Sequence, residues 1–152
     1  MSTPPDSPRP PAALRRLASW QAGRLATIGT RLTASRMPLE ARSDFAVLAC
    51  LAENGPLSQA DLCRYLGLDR SNVNGIVSRL EQATRAGRRT DSADRRRTIV
   101  DITPEGQHYL NSLEAHADSV QRELLAPLSE REQEQLTALL DKVLSAHGPL
   151  QA

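Results

Sequence analysis

The most chemically capable side chains in this 152-residue chain are arginines and amides rather than nucleophiles. Arg70, Ser71, Asn72, Asn74, Gly75, Ser78 and Arg79 fall on one side of a helical run whose other side is Val73, Ile76, Val77 and Leu80. A guanidinium such as Arg70 donates two parallel hydrogen bonds to a guanine edge, and the amide of Asn72 or Asn74 can pair with an adenine edge. Ser58 and Gln59 stand where another helix begins, and free backbone N–H groups there hold phosphate; Ser58 is equally an ordinary N-cap. Gly75 costs about 1 kcal/mol of helix propensity against alanine, which implies close approach of a nucleic-acid backbone or of a neighbouring helix. Further on, Arg88, Arg89, Arg95 and Arg97 suit phosphates, giving affinity with little sequence information, though each is also readable as a solvated arginine.

Charge distribution agrees. From Arg70 to Arg97 eight arginines face three acids, a local +5, whereas from Asp101 to Lys142 nine acids face three bases, a local −6. The net charge of +1 hides a basic centre beside an acidic C-terminal part, a footprint common among polyanion-binding modules. Catalysis finds no support. His108, His116 and His147 have no Asp or Cys placed with them in a nucleophile or HExxH pattern, and two histidines on one helix face do not make a zinc site. No metal and no cofactor are expected. Cys50 and Cys63 lie beside leucines and read as small buried hydrophobes; two cysteines are too few for a disulfide scaffold and fit a reducing cytoplasm. No apolar run approaches the ~20 residues that span a bilayer, and the Pro-rich start has no signal-peptide segment, so neither membrane nor export is expected.

The elements that must position these groups follow from periodicity and punctuation. Aromatics are only 3% of residues, so Leu, Ala, Val and Ile must build the core, which favours packed helices. Residues 1–11 hold five prolines and are expected to be a disordered tail before a single domain over 12–152. A long helix is expected from Pro11 to about Arg36, broken at Pro38, then a second one with Phe45, Leu48 and Leu51 on one face, ending at Asn54-Gly55-Pro56. Ser58 and Asp61 open a third helix that Gly67 ends; Asp69 or Ser71 caps the fourth, the outward face of which carries Arg70. A two-stranded hairpin with its tip near Asp91–Arg95 comes next. Thr103-Pro104 opens a fifth helix with Leu110, Leu113, Ala117, Val120 and Leu124, interrupted by Pro127. Ser129 and Glu132 form a capping box for a sixth, with Leu136, Leu139, Leu140, Val143 and Leu144. The two C-terminal stripes exceed what one small core needs, so some of that surface is expected to face a second copy rather than close on the chain itself.

In this order the parts are recognisable. Leu57–Leu62 (LSQADL), Leu66–Val73 (LGLDRSNV), Asp91–Arg97 (DSADRRR), Ile102–Gly106 (ITPEG) and Leu125–Ser129 (LAPLS) resemble the multiple antibiotic resistance regulator (MarR) family of winged helix-turn-helix transcription factors. The resemblance implies a mainly α fold with a small β-hairpin wing. A winged helix-turn-helix lobe over about 40–102 would sit between dimerisation helices at about 12–36 and 103–147. It implies a homodimer on double-stranded DNA with a pseudo-palindromic operator, usually as a repressor. It places the minor-groove arginine at Arg96, with Asp94 shaping the wing turn and Arg95 beside it. It also implies a small aromatic or phenolic effector between the dimer helices and the DNA-binding lobe, with Trp20, Arg24, Arg42, Phe45 and Tyr65 as candidate lining. The other reading is a winged-helix protein-interaction module whose basic face meets an acidic partner. In one respect the chain departs from the family: Thr84, Arg85 and Ala86 stand where a helix-ending glycine and an apolar pair are usual. Thr84 does not take a left-handed cap cheaply, so a looser hairpin, or a helix running on to Gly87, is expected.

Overall fold

In the computed structural model, which describes residues 8–147, seven helices surround a three-stranded antiparallel sheet. They run α1 (Ala12–Arg15), α2 (Ala18–Arg36), α3 (Leu39–Asn54), β1 (Leu57–Ser58), α4 (Gln59–Leu66), α5 (Arg70–Gln82), β2 (Ala86–Thr90), β3 (Thr98–Ile102), α6 (Pro104–Leu124) and α7 (Glu130–His147). The tail expected over 1–11 lies mostly outside the described residues. No helix among the described residues is long and apolar enough to cross a membrane.

Caps and period account for most of these boundaries. Ser58 and Asp61 make a reciprocal capping box on α4, and Gly67 closes that helix in the left-handed region. Asp69, not Ser71, caps α5 by accepting the Asn72 N–H. Val73, Ile76, Val77 and Leu80 are all buried, and with Val47, Leu48, Leu51, Leu62, Val100 and Leu110 they form the core of the lobe. Each such aliphatic contributes roughly 1.5–3 kcal/mol by leaving water.

Three expectations are corrected. The first helix is not continuous: Leu17 is extended between α1 and α2, and Gln21 Nε2 donates to the freed Arg15 carbonyl at 3.0 Å. Among the described residues nothing buries Leu14 and Leu17 to hold that first turn in line. The sheet has three strands rather than two, because β1 pairs with β3 (Leu57 with Val100) on the edge opposite β2. Third, α5 does not run on to Gly87, and the hairpin is not loose; β2 and β3 pair fully from Ala86–Ile102 to Thr90–Thr98.

Thr84 itself takes the left-handed conformation, φ 60°, alone among the described non-glycine residues. The Arg85 N–H reaches the Leu80 carbonyl at 2.8 Å and the Thr84 N–H the Glu81 carbonyl at 2.9 Å, the double closure of a Schellman cap. Two supports hold the residue there. Thr103 Oγ1 donates to the Thr84 carbonyl at 2.6 Å, and the Arg85 guanidinium stacks 3.5 Å from the centroid of the Tyr109 ring, taking the place of an apolar anchor. A β-branched residue in this region is strained. Thr84→Gly is therefore expected to raise stability by about 0.5–1 kcal/mol, read as a higher thermal midpoint; a lower midpoint would show that the threonine is not strained.

Outside the lobe the packing is thin. α6 packs on α2 and α3, and Met37, Ala41 and Leu113 form a second small core with Phe45 and Tyr109. α2 and α7 bury no residue at all, and Ile28, Leu139, Leu140, Val143 and Leu144 stand exposed.

Candidate nucleic-acid interface

α5 presents the polar side expected of it: Arg70, Ser71, Asn72, Asn74 and Gly75 are exposed. Among the described residues, no atom beyond the backbone of α5 itself lies within 4 Å of where a Gly75 side chain would begin, so no neighbouring helix requires that glycine. Ser58, Gln59, Ala60, Arg70, Arg96, Arg97 and Thr98 line one cleft of about 130 Å³, so the start of α4, the start of α5 and the base of the wing converge. Arg70, Arg89, Arg95 and Arg96 are exposed, and none forms an ion pair among the described residues. Those guanidiniums are free to meet an external anion.

Other arginines are committed internally. Arg97 Nη2 donates to Asp61 Oδ2 at 3.2 Å, tying the wing to α4. Asp61 also pairs with Arg64 and accepts from Ser58, and the Ser58 hydroxyl is the main reason its carboxyl is held below the usual carboxylate range. Arg88 bonds Glu81 at 2.7 Å and reaches Ser78 and Asn74 on α5, so it joins wing to helix rather than reaching outward. Arg79 departs from its expected outward position: its guanidinium pairs with the buried Asp44 on α3 and donates to the Glu40 carbonyl and Ser43 Oγ, each at 3.3 Å. An acid at position 44, inside the apolar stripe of Ala41, Leu48 and Leu51, was the available signal for that inward turn.

The wing tip is built by two aspartates. Asp91 Oδ1 accepts the Ala93 N–H and Asp94 Oδ1 the Arg96 N–H, both at 2.9 Å, while the Arg97 N–H closes on the Asp94 carbonyl at 2.9 Å. Asp94 thus fixes the backbone from which the Arg96 side chain extends.

The five residues expected to line a small-molecule crevice do not come together. Arg42 and Phe45 line a cavity of about 320 Å³ with Thr33, Met37, Ala117, Val120 and Gln121. Arg42 also borders a larger, mainly apolar groove of about 820 Å³ between α2 and α7, and its Nε is buried without a hydrogen-bond partner. Trp20 and Arg24 instead pair with each other on α2, the guanidinium 5.6 Å from the ring centroid, and Tyr65 is exposed on α4. Among the described residues no group of three or more His, Cys, Asp or Glu could hold a metal ion.

Comparison with known proteins is consistent in kind. A family model described as MarR family matches residues 41–97. The chain is 34% identical over 113 residues to the HTH-type transcriptional regulator PecS of Dickeya dadantii, spanning 72% of this chain and 67% of PecS. It is 29% identical over 102 residues to the HTH-type transcriptional repressor NicR of Pseudomonas putida, spanning 67% of this chain but only 65% of NicR. Among solved structures, the PcaV transcriptional regulator from Streptomyces coelicolor in complex with its natural ligand superposes with a TM-score of 0.75 at 27% identity, covering 91% of this chain and 99% of that one.

Proposed function

Because this chain belongs to the MarR family of winged helix-turn-helix transcription factors, we propose that it is a dimeric, sequence-specific DNA-binding regulator, a repressor released by a small aromatic or phenolic effector. The observation that carries this reading is the shared cleft at which Arg70 of the recognition helix and Arg96 of the wing converge, neither forming an ion pair among the described residues. A helix fits the major groove and reads base edges from its N-terminal residues, here Arg70, Ser71, Asn72 and Asn74. Arg96 enters the neighbouring minor groove, whose narrow stretches concentrate negative potential, and Arg95 follows the phosphates. Ser58 and Gln59 receive phosphate at the start of α4. The exposed apolar faces of α2 and α7 are the surface that a second copy covers, which sets two reading heads on successive turns, half-sites about 10 bp apart.

The effector reading is supported by the Arg42–Phe45 cavity, apolar on most sides and carrying one cation, and by the ligand-bound state of the PcaV relative. A carboxylate on Arg42 with its ring against Phe45 and Met37 is the arrangement we propose. The protein works in the cytoplasm, where its DNA is, and catalyses no reaction of its own.

Fluorescence anisotropy on labelled duplexes tests the central claim. Arg70→Ala and Arg96→Ala are each expected to weaken binding while leaving the dimer intact by sedimentation. Wild-type affinity is expected to fall by a factor of about 10³–10⁵ between 50 and 200 mM salt if six to ten phosphates are contacted. Unchanged binding in both variants would remove these two roles, and binding of an acidic protein with no salt-dependent binding to duplex would favour the interaction-module reading instead.

A further inference from the structure

The recognition helix carries two exposed asparagines whose amides the chain fixes in different ways. Asn74 Oδ1 accepts from Arg88 Nη2 at 2.9 Å and from Gln59 Nε2 at 3.3 Å. Arg88 is itself anchored, donating from Nη1 to Glu81 Oε2 at 2.7 Å and from Nη2 to Ser78 Oγ at 3.0 Å and the Asn74 carbonyl at 3.2 Å. An amide oxygen offers two lone pairs, and both are occupied. Turning the amide over would set its NH2 against the guanidinium, donor against donor, so the network decides the orientation. Pairing with adenine needs an amide oxygen to accept from N6 and an amide N–H to donate to N7. Asn74 has only the second half to give.

We infer that Asn74 reads DNA as a donor only, selecting acceptor edges (N7 and O6 of guanine, or O4 of thymine) and rejecting the bidentate adenine contact. Arg88 is the positioning residue that sets this polarity from the wing without touching the base. This inference rests on the DNA-binding reading above. Asn72 supplies the contrast. Its Nδ2 donates to Asp69 Oδ2 at 2.6 Å, which leaves its oxygen open and one N–H free, so it keeps the acceptor that adenine or cytosine requires. The two neighbouring amides therefore address bases of opposite polarity, although the bare sequence gives them the same chemistry.

Selection from a random duplex pool with the full-length dimer tests this, using wild type, Asn74→Leu, Arg88→Met and Arg88→Lys, followed by titration of single-base variants of the selected site. Wild type is expected to prefer guanine or thymine at one position per half-site, a preference that Asn74→Leu abolishes. Adenine placed there should weaken wild-type binding about tenfold. Arg88→Met opens one lone pair of the Asn74 oxygen, leaving only the longer Gln59 contact, and should shrink that penalty to below about threefold. Arg88→Lys, which keeps a donor near that oxygen, should preserve the wild-type preference. Three results would overturn the inference: a wild-type preference for adenine that depends on Asn74, no position that depends on Asn74, or an Arg88→Met variant weakened equally for all four bases. A wild type that enriches no sequence would overturn the proposed function itself, and is distinguishable from all three.

Discussion

Gly106→Ala is expected to destabilise this protein by roughly 3 kcal/mol, the upper end of what overpacking usually costs. Gly106 is the third residue of α6, with its N–H capped by Thr103 Oγ1 at 3.0 Å. A Cβ added there would fall inside contact distance of the Arg85 carbonyl oxygen, 2.9 Å from the carbonyl carbon and 3.0 Å from Ile102 Cγ1. The obstacle is backbone rather than the end of a flexible side chain, so it has no rotamer to escape into. Nor is that backbone free to retreat. The Arg85 carbonyl accepts the Thr103 N–H at 3.2 Å, its own N–H closes the cap on α5, and its side chain is stacked on Tyr109. Alanine must therefore either strain α6 or push the entry to β2, and with it the wing. Thermal unfolding at one fixed protein concentration should fall by roughly 6–12 °C for a chain of this size. DNA affinity should also fall below the midpoint, where the protein is still folded. A shift under about 2 °C with unchanged DNA binding would mean that the α5–wing joint yields freely, against every contact just described.

That joint also marks the limit of what the amino-acid pattern conveyed. The helix boundaries were readable because their signals are local: Ser58 with Asp61, Gly67, Asp69, Thr103-Pro104 and Ser129 with Glu132 each act on helix ends within a few residues of themselves. The buried set of α5 was readable because one face of a helix repeats. Thr84 was not, because a left-handed threonine is tolerated only through groups far along the chain, Thr103 and Tyr109 among them. β1 is two residues long and carries no alternation to detect. At the interface the pattern located the exposed face but could not sort its arginines. Among the described residues Arg70 and Arg96 form no ion pair, whereas Arg79, Arg88 and Arg97 find carboxylates that periodicity does not connect to them. Nor could the pattern sort the candidate crevice residues: Arg42 and Phe45 share a cavity because α6 brings Ala117 and Val120 across them, whereas Trp20, Arg24 and Tyr65 lie elsewhere.

Arg79 offers the sharpest test of that sorting. Its partner Asp44 is 3% exposed and joins three helices, accepting from Arg79 on α5 and from the Tyr109 hydroxyl on α6 at 3.4 Å while belonging to α3. Burial pushes the Tyr109 phenol above its ordinary range, and the Asp44 charge adds to the effect. Breaking such a pair from either side leaves one charge behind, and the two sides differ. The Arg79 side chain is 35% exposed and can swing into water once Asp44 is gone, whereas Asp44 has nowhere to go when Arg79 is removed. Asp44→Ala is therefore expected to cost about 2 kcal/mol and Arg79→Met about 3–4 kcal/mol, with the double variant milder than the sum by about 1–3 kcal/mol. Urea unfolding of the four proteins gives these values, and strict additivity would show that the pair is not coupled. DNA binding separates the two possible jobs of the guanidinium. Removing a phosphate contact lowers the salt slope by about one per arginine, as is expected for Arg95→Ala. Arg79→Met at a temperature where it is folded should leave the slope unchanged and weaken binding only through the seating of α5. A lowered slope would place Arg79 on the DNA, and the buried carboxylate would then have to be satisfied by Tyr109 alone.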